Sequence, residues 1–146
     1  MRAVLLTVVL GLSSACRVHP LNDGDYAFTV GRVIRDDCNL AAQPNLIGKG
    51  TLATQGNQVN LSLTSPTAEL VGTYRSNVEQ MVLDGTIANF QTVVRSQECL
   101  VDVVSLHLDT ETVDATHFKG AMSVEYDART PDTCVCKFWF DFTAAK

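Results

Sequence analysis

The chain has 146 residues, 46% of them hydrophobic, with 11 basic and 16 acidic side chains and a formal net charge of −5. That length builds one domain with a real core and is too short for two of ordinary size. An acidic balance spread along the chain lacks the electrostatic term that drives binding to polyanions, so no nucleic acid is expected as a partner.

Arg2 gives a short positive start, and residues 3–12 form an uncharged run of about ten residues, apolar but for Thr7, the anatomy of an export signal. At roughly 1.5 Å per helical residue the run covers about half of a ~30 Å hydrocarbon slab, so it reads as a leader and not as a membrane span. Leu12-Ser13-Ser14-Ala15-Cys16 then sets small residues directly before a cysteine. This stretch resembles the lipobox of bacterial lipoproteins, with Ser13 where a branched apolar residue is usual and Leu12 one step early. The resemblance implies that Cys16 receives a diacylglyceryl group and becomes the first mature residue, which makes the membrane a partner through that lipid. The competing reading is an ordinary secretory signal, because Ser13 and Ala15 also satisfy small-x-small cleavage before Cys16. The expected organisation is a signal peptide over residues 1–15, a lipid-anchored tether over 16–24 and a single β-barrel domain over 25–146. The expected location is the cell envelope. The outer membrane is favoured because Arg17 does not resemble the aspartate retention signal of some bacteria, and a secreted or periplasmic protein is the alternative.

Five cysteines are odd in number, but a lipid on Cys16 leaves Cys38, Cys99, Cys134 and Cys136, an even set suited to two disulfides in an oxidising compartment. A tetrahedral metal site built on Cys134-Val135-Cys136 is the alternative. Common zinc spacing is C-x2-4-C, however, and export favours oxidation, so no metal or other cofactor is expected.

Residues 17–24, with Pro20, Asn22, Asp23 and Gly24, read as a tether and turn. From Asp25 the period becomes two: Tyr26, Phe28, Val30 and Ile34 fall on one face, and Thr29, Gly31 and Arg35 on the other. This strand ends near Asp36-Asp37-Cys38. Residues 39–47 are a loop with room for a short helical turn. Residues 50–54 and 59–64 form the plainest hairpin, joined around Gln55-Gly56-Asn57, and Pro66 ends its second arm. Strands follow at 70–75 and 80–87, the latter with Met81, Leu83 and Ile87 on one face. Residues 88–98 read either as a long loop or as an extension of that strand through Phe90 and Val93. Residues 100–109 alternate less cleanly, with Leu100, Val104, Leu106 and Leu108 sharing a face with Asp102. Phe118, Met122, Val124 and Tyr126 alternate strictly with polar residues, Pro131 and Asp132 turn the chain, and a last strand sets Cys134, Cys136, Phe138, Phe140 and Phe142 on one side.

The fold class is therefore all-β, an antiparallel meander of about eight strands, closed as a small up-and-down barrel or split into a sandwich. The barrel is favoured because its first and last strands would otherwise be open edges. Gly50-Thr51-Leu52, Gly72-Thr73-Tyr74 and Gly85-Thr86-Ile87 recur, and glycine inside a strand allows the bend that closure requires. If strand directions alternate, all four cysteines collect at one rim, opposite the lipid. Residues two apart on a strand rarely bridge each other, which leaves Cys38 to Cys134 with Cys99 to Cys136, or the converse. Cys99 has the opposite parity to the apolar face of its strand, so a bulge, or a strand start at Leu100, is required.

Signals for chemistry are thin. His19, His107 and His117 lack H-E-x-x-H spacing, and neither G-x-S-x-G nor a P-loop is present. The two later histidines would bind metal only with a third donor, Asp109 or Glu111 being nearest. Asp36 and Asp37 at the stapled rim suit a paired-carboxylate or calcium role, and turn-forming aspartates are the commoner explanation. Trp139, on the polar side of its strand, is a candidate surface contact. Tyr26, Phe28, Phe118, Met122, Phe138 and Phe140 either line a cavity for an apolar ligand or fill the barrel themselves.

Beyond its N-terminus the chain is similar to small cysteine-containing bacterial lipoproteins of unknown function, and to lipocalin-like barrels in architecture alone, a likeness that carries no function across. The expectation is a non-enzymatic cell-envelope lipoprotein acting as a binding or scaffold module for an envelope protein. The alternative is a lipocalin-like carrier of a small hydrophobic or lipid ligand. An enzyme is the minority reading, and a cleft gathering Asp36, Asp37 and a histidine would revive it.

Overall fold

Eight antiparallel strands, paired in sequence order with the last returning to the first, close an up-and-down barrel in the computed structural model, which describes residues 20–41, 47–128 and 132–146. The expected leader, Cys16, His19 and the front of the expected tether lie outside the described residues, as do residues 42–46 of the loop after the first strand and Pro131. The strands are β1 (Gly24–Asp36), β2 (Lys49–Gln55), β3 (Gln58–Thr64), β4 (Thr67–Arg75), β5 (Gln80–Val94), β6 (Gln97–Asp114), β7 (His117–Asp127) and β8 (Cys136–Ala145). A short 3-10 turn, Asp132–Cys134, precedes β8, and there is no α-helix among the described residues.

Alternation explains most of the wall. On β8, Cys136, Phe138, Phe140, Phe142 and Ala144 are buried, while Lys137, Trp139 and Asp141 face outward. The same pattern buries Leu52, Leu61, Leu63 and Leu70 along β2 to β4. Closure needs strong coiling, and Gly72 permits it: a Cβ there would lie 1.8 Å from the Val82 carbonyl oxygen. Gly120 does the same on β7, where a Cβ would lie 2.1 Å from the Asp109 oxygen.

Two expectations of face need correction. Ile34 does not share the buried face of Tyr26 and Phe28, because the β1 to β8 register slips between Val30 and Val33 and again between Val33 and Arg35. These bulges turn Ile34 outward, to 39% exposure. Leu100 does not share the face of Val104, Leu106 and Leu108 either; it is 55% exposed while Val101 is fully buried. The parity change falls at Asn89, at φ 52°, between the register pairs Ala88 with Val103 and Phe90 with Val101. Before this point Met81, Leu83 and Ile87 point inward, and after it Phe90, Thr92 and Val94 do. Asn89 is a residue type that tolerates left-handed backbone, and this break resolves the odd parity of Cys99.

β5 runs on through the stretch that the sequence leaves open, as far as Val94. Beyond Gly85 it has no register partner on β4, and β6 meets β7 only from Val103 onward. Among the described residues, the end of β5 and the start of β6 are thus a two-stranded ribbon standing past the barrel wall.

Candidate functional site

The barrel has two unlike mouths. One collects the start of β1, the 56–57, 76–79 and 115–116 turns and the C-terminal end of β8. There the residues that precede β1 are docked. Leu21 is buried, the Asn22 amide donates to the Ala115 carbonyl at 2.8 Å, and the Tyr26 hydroxyl donates to the Asn22 carbonyl at 2.7 Å. Burial, followed by the nearby Asp23 carboxylate, pushes the Tyr26 phenol above its ordinary value, so it stays a donor.

The other mouth holds all four described cysteines. Cys38 bonds Cys136 and Cys99 bonds Cys134, which selects the second of the two pairings open to the sequence. The β5 to β6 ribbon roofs this mouth. Its tip residue Arg95 donates from its amide to the Cys38 carbonyl at 3.4 Å and from Nε to the Asp37 carbonyl at 2.7 Å. In an eight-stranded closed sheet the end of β1 lies diametrically across from β5, so these bonds show that the ribbon crosses the opening. Thr133 Oγ1 to Gln97 Oε1, at 2.8 Å, and the Cys99–Cys134 bond fix the roof on the β8 side.

Below the roof lies an apolar cavity of about 40 Å³ whose lining includes Leu40, Ile87, Phe90, Val124, Tyr126 and Phe138. A ligand pocket of roughly 300–1,000 Å³ is an order of magnitude larger. Deeper in, the barrel is filled by its own aromatics: Phe118 packs against Tyr26 at 5.2 Å, Phe28 at 5.7 Å and Phe142 at 6.0 Å between ring centroids. Met122 and Phe140 border the cavity, whereas Tyr26 and Phe28 belong to the filled half.

The polar candidates are dispersed. Asp36 caps the loop after β1, accepting from the Leu40 and Ala41 amides at 2.9 Å each, and Asp37 accepts from Arg35 Nε at 2.7 Å. That bond to the guanidinium holds the Asp37 carboxyl below its ordinary range. His107 lies on the outer wall between Asp84, 2.6 Å from Nδ1, and Asp109, 3.2 Å from Nε2. The hydrogen bond to Asp84, more than that to Asp109, raises its pKa. His117 sits at the tether mouth with Asp114 at 2.9 Å, and the Thr116 amide and His117 together bring the Asp114 carboxyl down to about 2. Glu111 pairs with Lys119 at 3.6 Å. Among the described residues, Asp36 and Asp37 are therefore not gathered with a histidine. Among the described residues no three His, Cys, Asp or Glu side chains form a metal-holding group.

Trp139 is 39% exposed on the outer wall, between Ser123 of β7 and Arg35 of β1. Three ion pairs surround it: Arg35 with Asp37, Lys137 with Glu125, and Arg32 with Asp141 at 3.4 Å. Sequence reasoning located the tryptophan but not its frame, which joins three strands. In comparisons with known proteins the chain matches no family model, no curated protein and no solved structure.

Proposed function

We propose that the protein is an exported, non-enzymatic cell-envelope lipoprotein that works as a binding or scaffold module, held to the membrane by a lipid on Cys16. The observation that carries this reading is the pair of disulfides across one mouth, because such bonds persist in oxidising compartments. Export agrees with the leader, and the odd fifth cysteine agrees with lipidation. β1 starts at the opposite mouth, so a lipid on Cys16 would turn the stapled mouth away from the bilayer. An interior filled by its own aromatics leaves the outer wall as the contact surface. Trp139 within its frame of ion pairs has the make-up of an aromatic anchor with a polar rim.

Mass analysis of the mature N-terminus tests the reading. The expected result is Cys16 bearing a diacylglyceryl group in the membrane fraction, with Cys16→Ser shifting the protein to the soluble fraction. An unmodified Cys16 at the mature end would instead favour a plain secreted or periplasmic protein. The carrier reading draws support from the apolar cavity under the roof. Native mass spectrometry of protein from its own host tests it, and recovery without a bound apolar ligand counts against it.

A further inference from the structure

We infer that the β5 to β6 ribbon is a disulfide-latched roof, and that reducing Cys99–Cys134 opens an apolar pocket at the stapled mouth to a small uncharged apolar molecule. This goes beyond the module reading and does not depend on lipidation.

The ribbon is separable from the wall. Its ladder, from Phe90 with Val101 to Val94 with Gln97, has no register partner on either flank among the described residues, whereas the body of β5 is paired on both sides from Gln80 to Gly85. It joins the wall at Asn89, where positive φ and the change of buried face mark a break in the regular strand. Its tip also stores conformational cost, since Arg95 and Ser96 have φ values of 49° and 67°, a turn that prefers Asn-Gly. Such backbone persists where surroundings hold it, and here they are the Asp37 and Cys38 carbonyls.

The underside is apolar. Phe90 packs on Tyr126 with ring centroids 6.2 Å apart, and Val94 and Val101 are buried beside them. Lifting Phe90 joins the existing cavity, which Ile87 borders from the wall, to the space that the ribbon vacates. The cavity lining carries no charged side chain, and this defines the ligand class.

The latch is chemically addressable. Cys99, at 5% exposure, borders a surface groove with Thr92 and Leu100, while Cys134 is fully buried; the other bond likewise has one fully buried half, Cys38, and one near the surface, Cys136 at 7%. A dithiol donor would supply two electrons and two protons: the Sγ–Sγ bond of Cys99–Cys134 breaks, two thiols form, and the donor leaves as its own disulfide. The Cys38–Cys136 bond holds the end of β1 to β8 and has neither half on the ribbon.

The test uses the full chain and its C99S/C134S variant, with hydrogen exchange and Nile red as the apolar probe. The expected result is exchange at residues 90–94 and 97–101 faster by at least about 10-fold, unchanged protection in β2 to β4, unchanged Trp139 emission, and dye binding by the variant alone. As a second measurement, dithiothreitol on C38S/C136S, which keeps Cys99–Cys134, should produce the same dye signal, and reoxidation should remove it. Equal ribbon protection in both proteins, loss of protection across the whole barrel together, or no dye binding after reduction of Cys99–Cys134 would each overturn the proposal.

Discussion

Gly72 is the sharpest residue-level test of closure. Gly72→Ala must push a methyl into the Val82 carbonyl, an overpacking that should cost about 3 kcal/mol or more. Gly48→Ala meets nothing within 4 Å and should stay within about 0.5 kcal/mol of wild type; urea denaturation of the two variants separates them. His107 supplies a pH-dependent test. Because the bond to Asp84 raises its folded pKa above the ordinary 6.5, its contribution to stability is complete below 6.5 and lost as pH rises through the folded value. Urea midpoints taken from about pH 6 to pH 9 should therefore fall further in wild type than in Asp84→Asn. Spacing in the sequence located these histidines but could not pair His107 with Asp84, which lies 23 positions away and one strand over.

At the level of elements, the seam between β1 and β8 decides whether the sheet is a barrel or an open meander. Phe142 anchors that seam, paired in register with Val30 and packed on Phe28 and Phe118. Phe142→Ala should cost about 3–5 kcal/mol by guanidinium titration, and an outcome under about 1 kcal/mol would mean that the seam is not part of the cooperative core. Strict alternation made β7 and β8 legible from sequence. Residues 88–98 were not, because the buried face changes over at Asn89 and Asp102 and no single period covers both sides of that break.

For the whole molecule, the two cross-links should differ in worth. Formed singly, the Cys38–Cys136 bond spans 98 positions and the Cys99–Cys134 bond 35. Chain-entropy reasoning gives the longer loop roughly 1 kcal/mol more stabilisation, out of about 2–4 kcal/mol for each bond. Thermal unfolding of C38S/C136S should accordingly show a larger fall in midpoint than that of C99S/C134S. The reverse order would mean that strain or residual structure outweighs loop closure.

From the sequence alone came the all-β class, the eight strands in order, the gathering of Cys38, Cys99, Cys134 and Cys136 at one rim, and the two pairings that fit it. All of these follow from period-two alternation and alternating strand direction, which are local rules repeated along the chain. Tertiary structure chose between the pairings, packed the aromatic interior, framed Trp139 with ion pairs and folded the β5 to β6 ribbon across the mouth. Each of these depends on which residues meet across the closed sheet. That is fixed by register, coiling and the break at Asn89, and no local period in the sequence encodes it.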